Sequence, residues 1–208
     1  MPRVSRPALV IKNKMRAALP SRGNRYMYNY SMSNRKIILH GERVALAEML
    51  AEDQPFFRKW LSENAGLREL IDDLKIPTAE DQSNWFKRVQ KPDRKFFSLV
   101  TVPDEKLIGN AGFVDIDEDR KTATMRITIG HPEFLGKGLG SEAIGLLKKY
   151  AFESADFEKL GLKVLENNLR AVKSYMKSGF KLIGKESIDG KIKLTMALSR
   201  SDYFKSQS

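Results

Sequence analysis

The chain is 208 residues long, 41% hydrophobic and 30% charged, which suits one globular domain with a substantial core. It has no cysteine, only two histidines (His40 and His131) and no apolar run near the roughly 18 residues of a membrane span, which excludes disulfides, thiolate nucleophiles, Cys- or His-rich metal sites and a spanning helix. The net charge of +11 is uneven: residues 1–31 hold seven Arg and Lys and no acid, and the thirty basic and twenty-six acidic residues that remain carry no nucleic-acid signature.

Residues 1–31 have no helix or strand period and contain Pro2, Pro7, Pro20 and Gly23. They read as a disordered arm, as an Arg-rich organelle transit peptide, or as sequence upstream of a start at Met32, with residues 32–208 as the folded domain. Ile37–Leu39 and Val44–Leu46 read as strands flanking a turn. A helix is expected over Asp53–Glu63, with Phe56, Phe57, Trp60 and Leu61 at helical spacing, ended by Asn64-Ala65-Gly66. After a looser stretch to Pro77, Thr78 with Asp81 three positions on marks the start of a second helix, which carries Trp85, Phe86 and Val89.

The period then changes to that of strands. Phe96–Val102, Leu107–Ile116 and Thr122–Ile129 read as consecutive antiparallel strands, followed by a loop over Gly130–Lys137 and a helix over Ser141–Glu153. A strand at Leu160–Leu165, a helix at Arg170–Lys177 closed by Gly179, and a hairpin of Phe180–Ile188 and Lys191–Leu198 across Asp189-Gly190 complete the chain.

Gly136, Gly138 and Gly140 lie where a strand passes into a helix. A helix start presents unpaired N–H groups and a positive dipole end, and glycine lets a phosphate approach the backbone. The loop is therefore either a phosphate cradle or a turn that merely starts the helix. It is not a Walker loop, because Gly138 and Leu139 follow Lys137 where a Ser or Thr is needed. Nor is it a dinucleotide fingerprint, because Ser141 stands at the third glycine position and no early βαβ unit precedes it.

Leu135-Gly136-Lys137-Gly138-Leu139-Gly140 resembles the coenzyme signature Q/R-x-x-G-x-G/A of the GNAT acetyltransferases, with Leu135 replacing the usual Gln or Arg. The run Gly136–Ala143 is similar to the RimJ/RimL-type branch. A second motif, Glu166-Asn167-Asn168 followed by Ser174-Tyr175 and Gly179-Phe180, fits the same family about 30 residues later. The resemblance spans roughly Lys36 to Leu198. It implies an α/β (α+β) GNAT fold: one mixed, mostly antiparallel sheet of six to seven strands flanked by helices.

The resemblance also implies a reaction, acetyl transfer from acetyl-CoA to a primary amine by direct attack in a ternary complex, with no metal. Leu135, Gly136, Lys137, Gly138, Leu139, Gly140 and Ser141 would hold the pyrophosphate, with Lys137 as a point charge. Ile127, Thr128 and Ile129 would pair with the pantetheine arm, where a backbone N–H can stabilise the oxyanion. Asn168 and Ser174 would also meet the coenzyme, although Asn168 reads equally as a helix N-cap. Tyr175 would protonate the departing thiolate, unless it only packs its helix on the sheet. Met125 occupies the position where relatives carry a basic Glu, so Asp115, with Asp117, is the substitute base to test.

Acids at Glu52, Asp53, Asp72 and Asp73 are candidates to attract a cationic amine, and some of the early aromatics to line its site. The acceptor is a protein N-terminus or a small amine, with amino sugars and polyamines as alternatives. A non-catalytic acetyl-CoA-binding module, and an RNA- or ribosome-associated protein using the basic arm, are readings of another class. The expected setting is cytoplasmic, without a membrane partner, and exposed sheet edges in such folds often pair into homodimers.

Overall fold

A computed structural model describes residues 35–71 and 75–207. The basic arm, the Met32 start, Asp72 and Asp73 lie outside the described residues.

Eight strands form one sheet, one or two more than the six to seven expected. They are β1 (Ile37–His40), β2 (Val44–Glu48), β3 (Lys95–Thr101), β4 (Leu107–Asp117), β5 (Thr122–Ile129), β6 (Lys159–Leu165), β7 (Lys181–Ile188) and β8 (Lys191–Ser199). Their order across the sheet is β1-β2-β3-β4-β5-β6-β8-β7, and every neighbouring pair is antiparallel except β5–β6. The four-residue β1 extends one edge through its hairpin with β2. At the other edge Asp189 and Gly190, both at positive φ, close the β7–β8 hairpin as their sequence demands.

Alternation sorts the sheet into two faces. Ala45 and Ala47 of β2 turn to one side, where α1 (Gln54–Glu63), α2 (Ala65–Leu70) and α3 (Ala79–Val89) bury Phe57, Trp60 and Leu67. Val44 and Leu46 turn to the other, against Ile144 and Leu147 of α4 (Leu139–Lys149), in the larger core with Phe97, Phe113 and Phe152. α5 (Leu169–Lys177) joins that core through Tyr175, and α6 (Arg200–Lys205) through Tyr203.

Asn64 does not simply end the first helix. Its side chain accepts from Leu67 N and so caps α2, which sequence reading gave to a loose segment. The Thr78 capping box of α3 forms as its sequence dictates. α4 begins two residues earlier than Ser141, because Gly138 sits at φ 80° as its N-cap, and its last turn widens into a π-helical turn over Tyr150–Ser154.

At the start of α1, Asp53 is fully buried. It accepts two hydrogen bonds from Arg35, at 2.6 and 2.8 Å, and one each from Ser98 Oγ and Leu50 N. Asp53 is thus bound into an ion pair rather than turned to a substrate, and Glu52 is exposed and lines neither of the cavities below.

Candidate active site

β5 and β6 pair only through Thr122–Thr124 and Lys159–Gly161. Beyond that β5 stays with β4 and β6 with β8, and the strands part around a cleft of about 570 Å³. Along residues 125–129 of β5, alternate N–H and C=O groups therefore face an open edge rather than a strand. Ile127, Thr128 and Ile129 line this cleft, together with Leu135, Gly136, Gly138, Leu139, Gly140 and Ser141 of the glycine loop and Asn168, Ser174 and Tyr175 from the α5 side. Lys137 stands apart: it is exposed, with Nζ over the Phe134 ring at 5.3 Å.

The loop is shaped for an anion. Gly136 and Gly138 have φ of 76° and 80°, which side chains resist. The N–H groups of Gly136, Lys137 and Gly138 donate to no described backbone carbonyl, and Leu139 and Gly140 are first-turn residues without partners inside α4. The N-terminal dipole of α4 adds to them. Asn168 does cap α5, its Oδ1 accepting from Ala171 N at 3.2 Å, yet it also borders the cleft. Ser141 Oγ donates to Ser174 Oγ at 3.3 Å, tying the first turn of α4 to the middle of α5.

A tether that sequence reading missed fixes the loop from outside. Glu142 of α4 accepts from Arg43 N at 2.7 Å, Val44 N at 3.0 Å and Arg43 Nε at 3.0 Å, and Arg43 donates onward to Lys137 O at 3.2 Å. The partners are 99 residues apart, beyond any local pattern. Burial works to raise the Glu142 pKa, but the hydrogen bonds from Arg43 and Val44 outweigh it, and the net shift is downward from 4.5. A carboxylate lowered on folding stabilises the fold above its unfolded pKa, and that contribution is lost as pH falls through the folded value. Glu142→Gln is therefore expected to unfold at a lower urea midpoint than the parent near neutrality and to lose less further stability as pH falls through and below about 4.5, checked by urea titrations across pH.

Tyr175 lines the cleft while only 8% of its surface is exposed, and no described protein group hydrogen-bonds its hydroxyl. Burial pushes its pKa up to about 12, with the Arg126 charge pulling slightly the other way, so the phenol keeps its proton throughout the physiological range. Met125 is buried in the core against the α4 face and offers no base. Asp115 is exposed at a bulge of β4, at φ 52°, and neither it nor Asp117 borders the cleft. Among the described residues no Asp or Glu lines it. His131 packs between Trp60 and Phe134 and accepts from Glu133 N, and burial lowers its pKa.

A second cavity of about 380 Å³ lies on the α1–α3 face. Phe57, Trp60, Trp85, Gln82 and Asn110 border it, and Leu67, Ile71 and Thr128 border both spaces, so the two share walls at the end of α2 and at β5. Of the early aromatics, Phe56 and Phe86 border neither. Gly130 lets Trp60 lie against the chain, since a Cβ there would stand 2.3 Å from the indole.

Residues 43–181 match the family described as the acetyltransferase (GNAT) domain. The alpha/beta-tubulin-N-acetyltransferase 9 of Drosophila melanogaster is 30% identical over 159 residues, covering 69% of this chain and 78% of that protein. The spermidine N(1)-acetyltransferase of Escherichia coli K12 is 29% identical over 146 residues, covering 70% and 72%. Among solved structures, spermidine N-acetyltransferase from Vibrio cholerae in complex with CoA and spermine superposes with a TM-score of 0.69 at 22% identity, covering 77% of this chain and 98% of that one. A match that runs from Arg43 to Lys181, through the parted strands and the glycine loop alike, makes this chain a member of the GNAT acetyltransferase family, an N-acetyltransferase that takes its acetyl group from acetyl-CoA.

Proposed function

We propose that the cleft binds acetyl-CoA with its pyrophosphate on Leu135–Ser141 and its pantetheine arm along Ile127–Ile129, and that the amine enters from the second cavity. The observation that carries this reading is the convergence of the glycine loop, the open edge of β5 and the unpartnered Tyr175 hydroxyl on one cleft that meets a second cavity at Thr128. Acetyl-CoA supplies an activated acyl carbon. Asn168 and Ser174 help to orient it, a β5 peptide N–H steadies the carbonyl oxygen, and Lys137 adds positive charge at the loop. The amine nitrogen bonds to the acyl carbon as the C–S bond breaks. Tyr175 gives its proton to the sulfur, the ammonium proton leaves to water, and solvent restores the phenol. With Asp115 outside the cleft, deprotonation falls to water or precedes binding.

The Gly136–Ala143 run supports a place near the RimJ/RimL-type branch. We further assign the protein to the cytoplasm, read residues 1–31 as an extension dispensable to the domain, and expect a homodimer. Among the described residues no helix is long and apolar enough to cross a membrane. Names of relatives point to different acceptors, spermidine for the bacterial proteins and tubulin for the animal ones. The test is release of free thiol from acetyl-CoA over a panel of amines. Amine-dependent release is expected, whereas binding of acetyl-CoA with no release on any amine would leave a non-catalytic binding module.

A further inference from the structure

A residue far from the glycine loop decides what that loop offers to an anion. Arg43 sits in the turn between β1 and β2, 94 residues before Lys137. Its guanidinium spans two acceptors: Nε donates to the Glu142 carboxylate at 3.0 Å and Nη1 to Lys137 O at 3.2 Å. Glu142 holds the root of the side chain as well, because it accepts from Arg43 N and Val44 N at 2.7 and 3.0 Å. Gly41 makes room for that carboxylate, since a Cβ there would stand 2.8 Å from Glu142 Oε1. The guanidinium is planar, so fixing one of its N–H groups fixes the others, and the Lys137 carbonyl is held in one direction.

The neighbouring N–H follows from that direction. The Lys137–Gly138 bond is trans, since the one cis bond among the described residues is Val102–Pro103. The N–H of Gly138 therefore points away from the Lys137 carbonyl. Gly138 borders the cleft and Arg43 does not, so a carbonyl drawn to Arg43 turns this N–H toward the cleft. Gly138 has φ 80° and ψ −4°, the conformation of the third residue of a type II turn. Glycine takes the type I values of about −90° and 0° as readily, and the two turns differ by turning over the peptide before it. Turned over, the loop would present the Lys137 oxygen to a phosphate where it now presents an N–H. Glycine itself does not choose between the two; the bond from Arg43 does.

We propose that Arg43 is a positioning residue for the coenzyme, holding the Lys137 carbonyl outward so that the Gly138 N–H meets the pyrophosphate. It acts on the cradle through that one peptide. This rests on the coenzyme reading above and adds no step to the reaction.

The test is calorimetric titration of the full chain with acetyl-CoA and with S-acetylpantetheine, which has the same thioester and arm but no phosphate. Arg43→Met replaces a side chain that is 56% exposed and leaves both backbone bonds to Glu142 in place, so the hairpin stays anchored. Its dissociation constant for acetyl-CoA should rise about tenfold or more, as for one lost hydrogen bond to a charged group, and that for S-acetylpantetheine should not change. Arg43→Lys keeps the charge without the fork and should bind as Arg43→Met does. Gly138→Ala carries the test without touching the tether: its Cβ meets Arg43 Nη2 at an ordinary 3.6 Å, but a side chain disfavours the positive φ and should give the same selective loss. Adding Arg43→Met to it should cost less than about twofold more, because both changes favour the same turned-over peptide. Four results overturn the proposal: unchanged acetyl-CoA affinity in Arg43→Met, equal losses for the two ligands, affinity restored by Arg43→Lys, or fully additive losses in the double variant. Each leaves the coenzyme reading intact. A parent that binds acetyl-CoA no more tightly than S-acetylpantetheine overturns the placement of the pyrophosphate on this loop as well.

Discussion

Tyr175→Phe is expected to lower kcat by roughly 100-fold or more, within the range general acid catalysis contributes, while changing acetyl-CoA affinity by less than about twofold. The argument rests on the place of the hydroxyl. The ring packs in the core beside Phe180, at 6.0 Å between centroids, so Phe keeps nearly all of the packing, and the oxygen alone faces the cleft without a described partner. A purely structural tyrosine would lose little on becoming Phe. With the pKa raised to about 12 by burial, the proton is present at every working pH, so the rate should show no Tyr175 limb below about pH 10. The same shift has a sign for stability: the raised value favours folding fully below the unfolded pKa of 10 and is lost as pH rises toward 12, a limb that Tyr175→Phe removes. Single-turnover thiol release with saturating amine separates the chemical step from binding. A variant with parental kcat would mean that water protonates the thiolate.

Asp53→Ala should cost about 3–5 kcal/mol, because it leaves the Arg35 guanidinium buried without its bidentate partner. That is a large share of the 5–15 kcal/mol typical of a domain. The pair ties the chain just before β1 to the start of α1 and, through Ser98, to β3. Replacing both partners, as Arg35→Met with Asp53→Leu, should recover most of the loss, since an apolar pair leaves no orphaned charge. Urea denaturation of the two variants decides. Equal losses in the single and double variants would mean that packing, rather than the ion pair, sets the cost.

The elements that were legible in the sequence are those whose cause is local. Thr78 with Asp81, the Asp189-Gly190 turn and Gly179 at φ 93° each carry their own chemistry, and each forms where its residues demand. α2 was hidden because Asn64-Ala65-Gly66 reads as a stop, although an Asn that ends one helix can cap the next. The six-residue α6, capped by Ser199, is too short to show a period. The glycine loop and the Tyr175 helix were readable through their motifs. The Arg43–Glu142 tether and the Arg35–Asp53 pair were not, since each exists only once distant segments are packed. Asp53 looked like a surface acid for the same reason: nothing in the neighbouring residues announces its partner.

The most direct test of the central claim is calorimetric titration of acetyl-CoA into the parent and into Gly140→Asp. Gly140 borders the cleft, and a Cβ there meets nothing nearer than Ile129 Cγ1 at 3.9 Å, so the variant should fold while placing a carboxylate where the pyrophosphate would lie. Binding to the parent that falls by at least about tenfold in the variant is the expected result. Equal binding by both proteins, or none by a folded parent, would contradict the assignment of the glycine loop as the coenzyme's cradle.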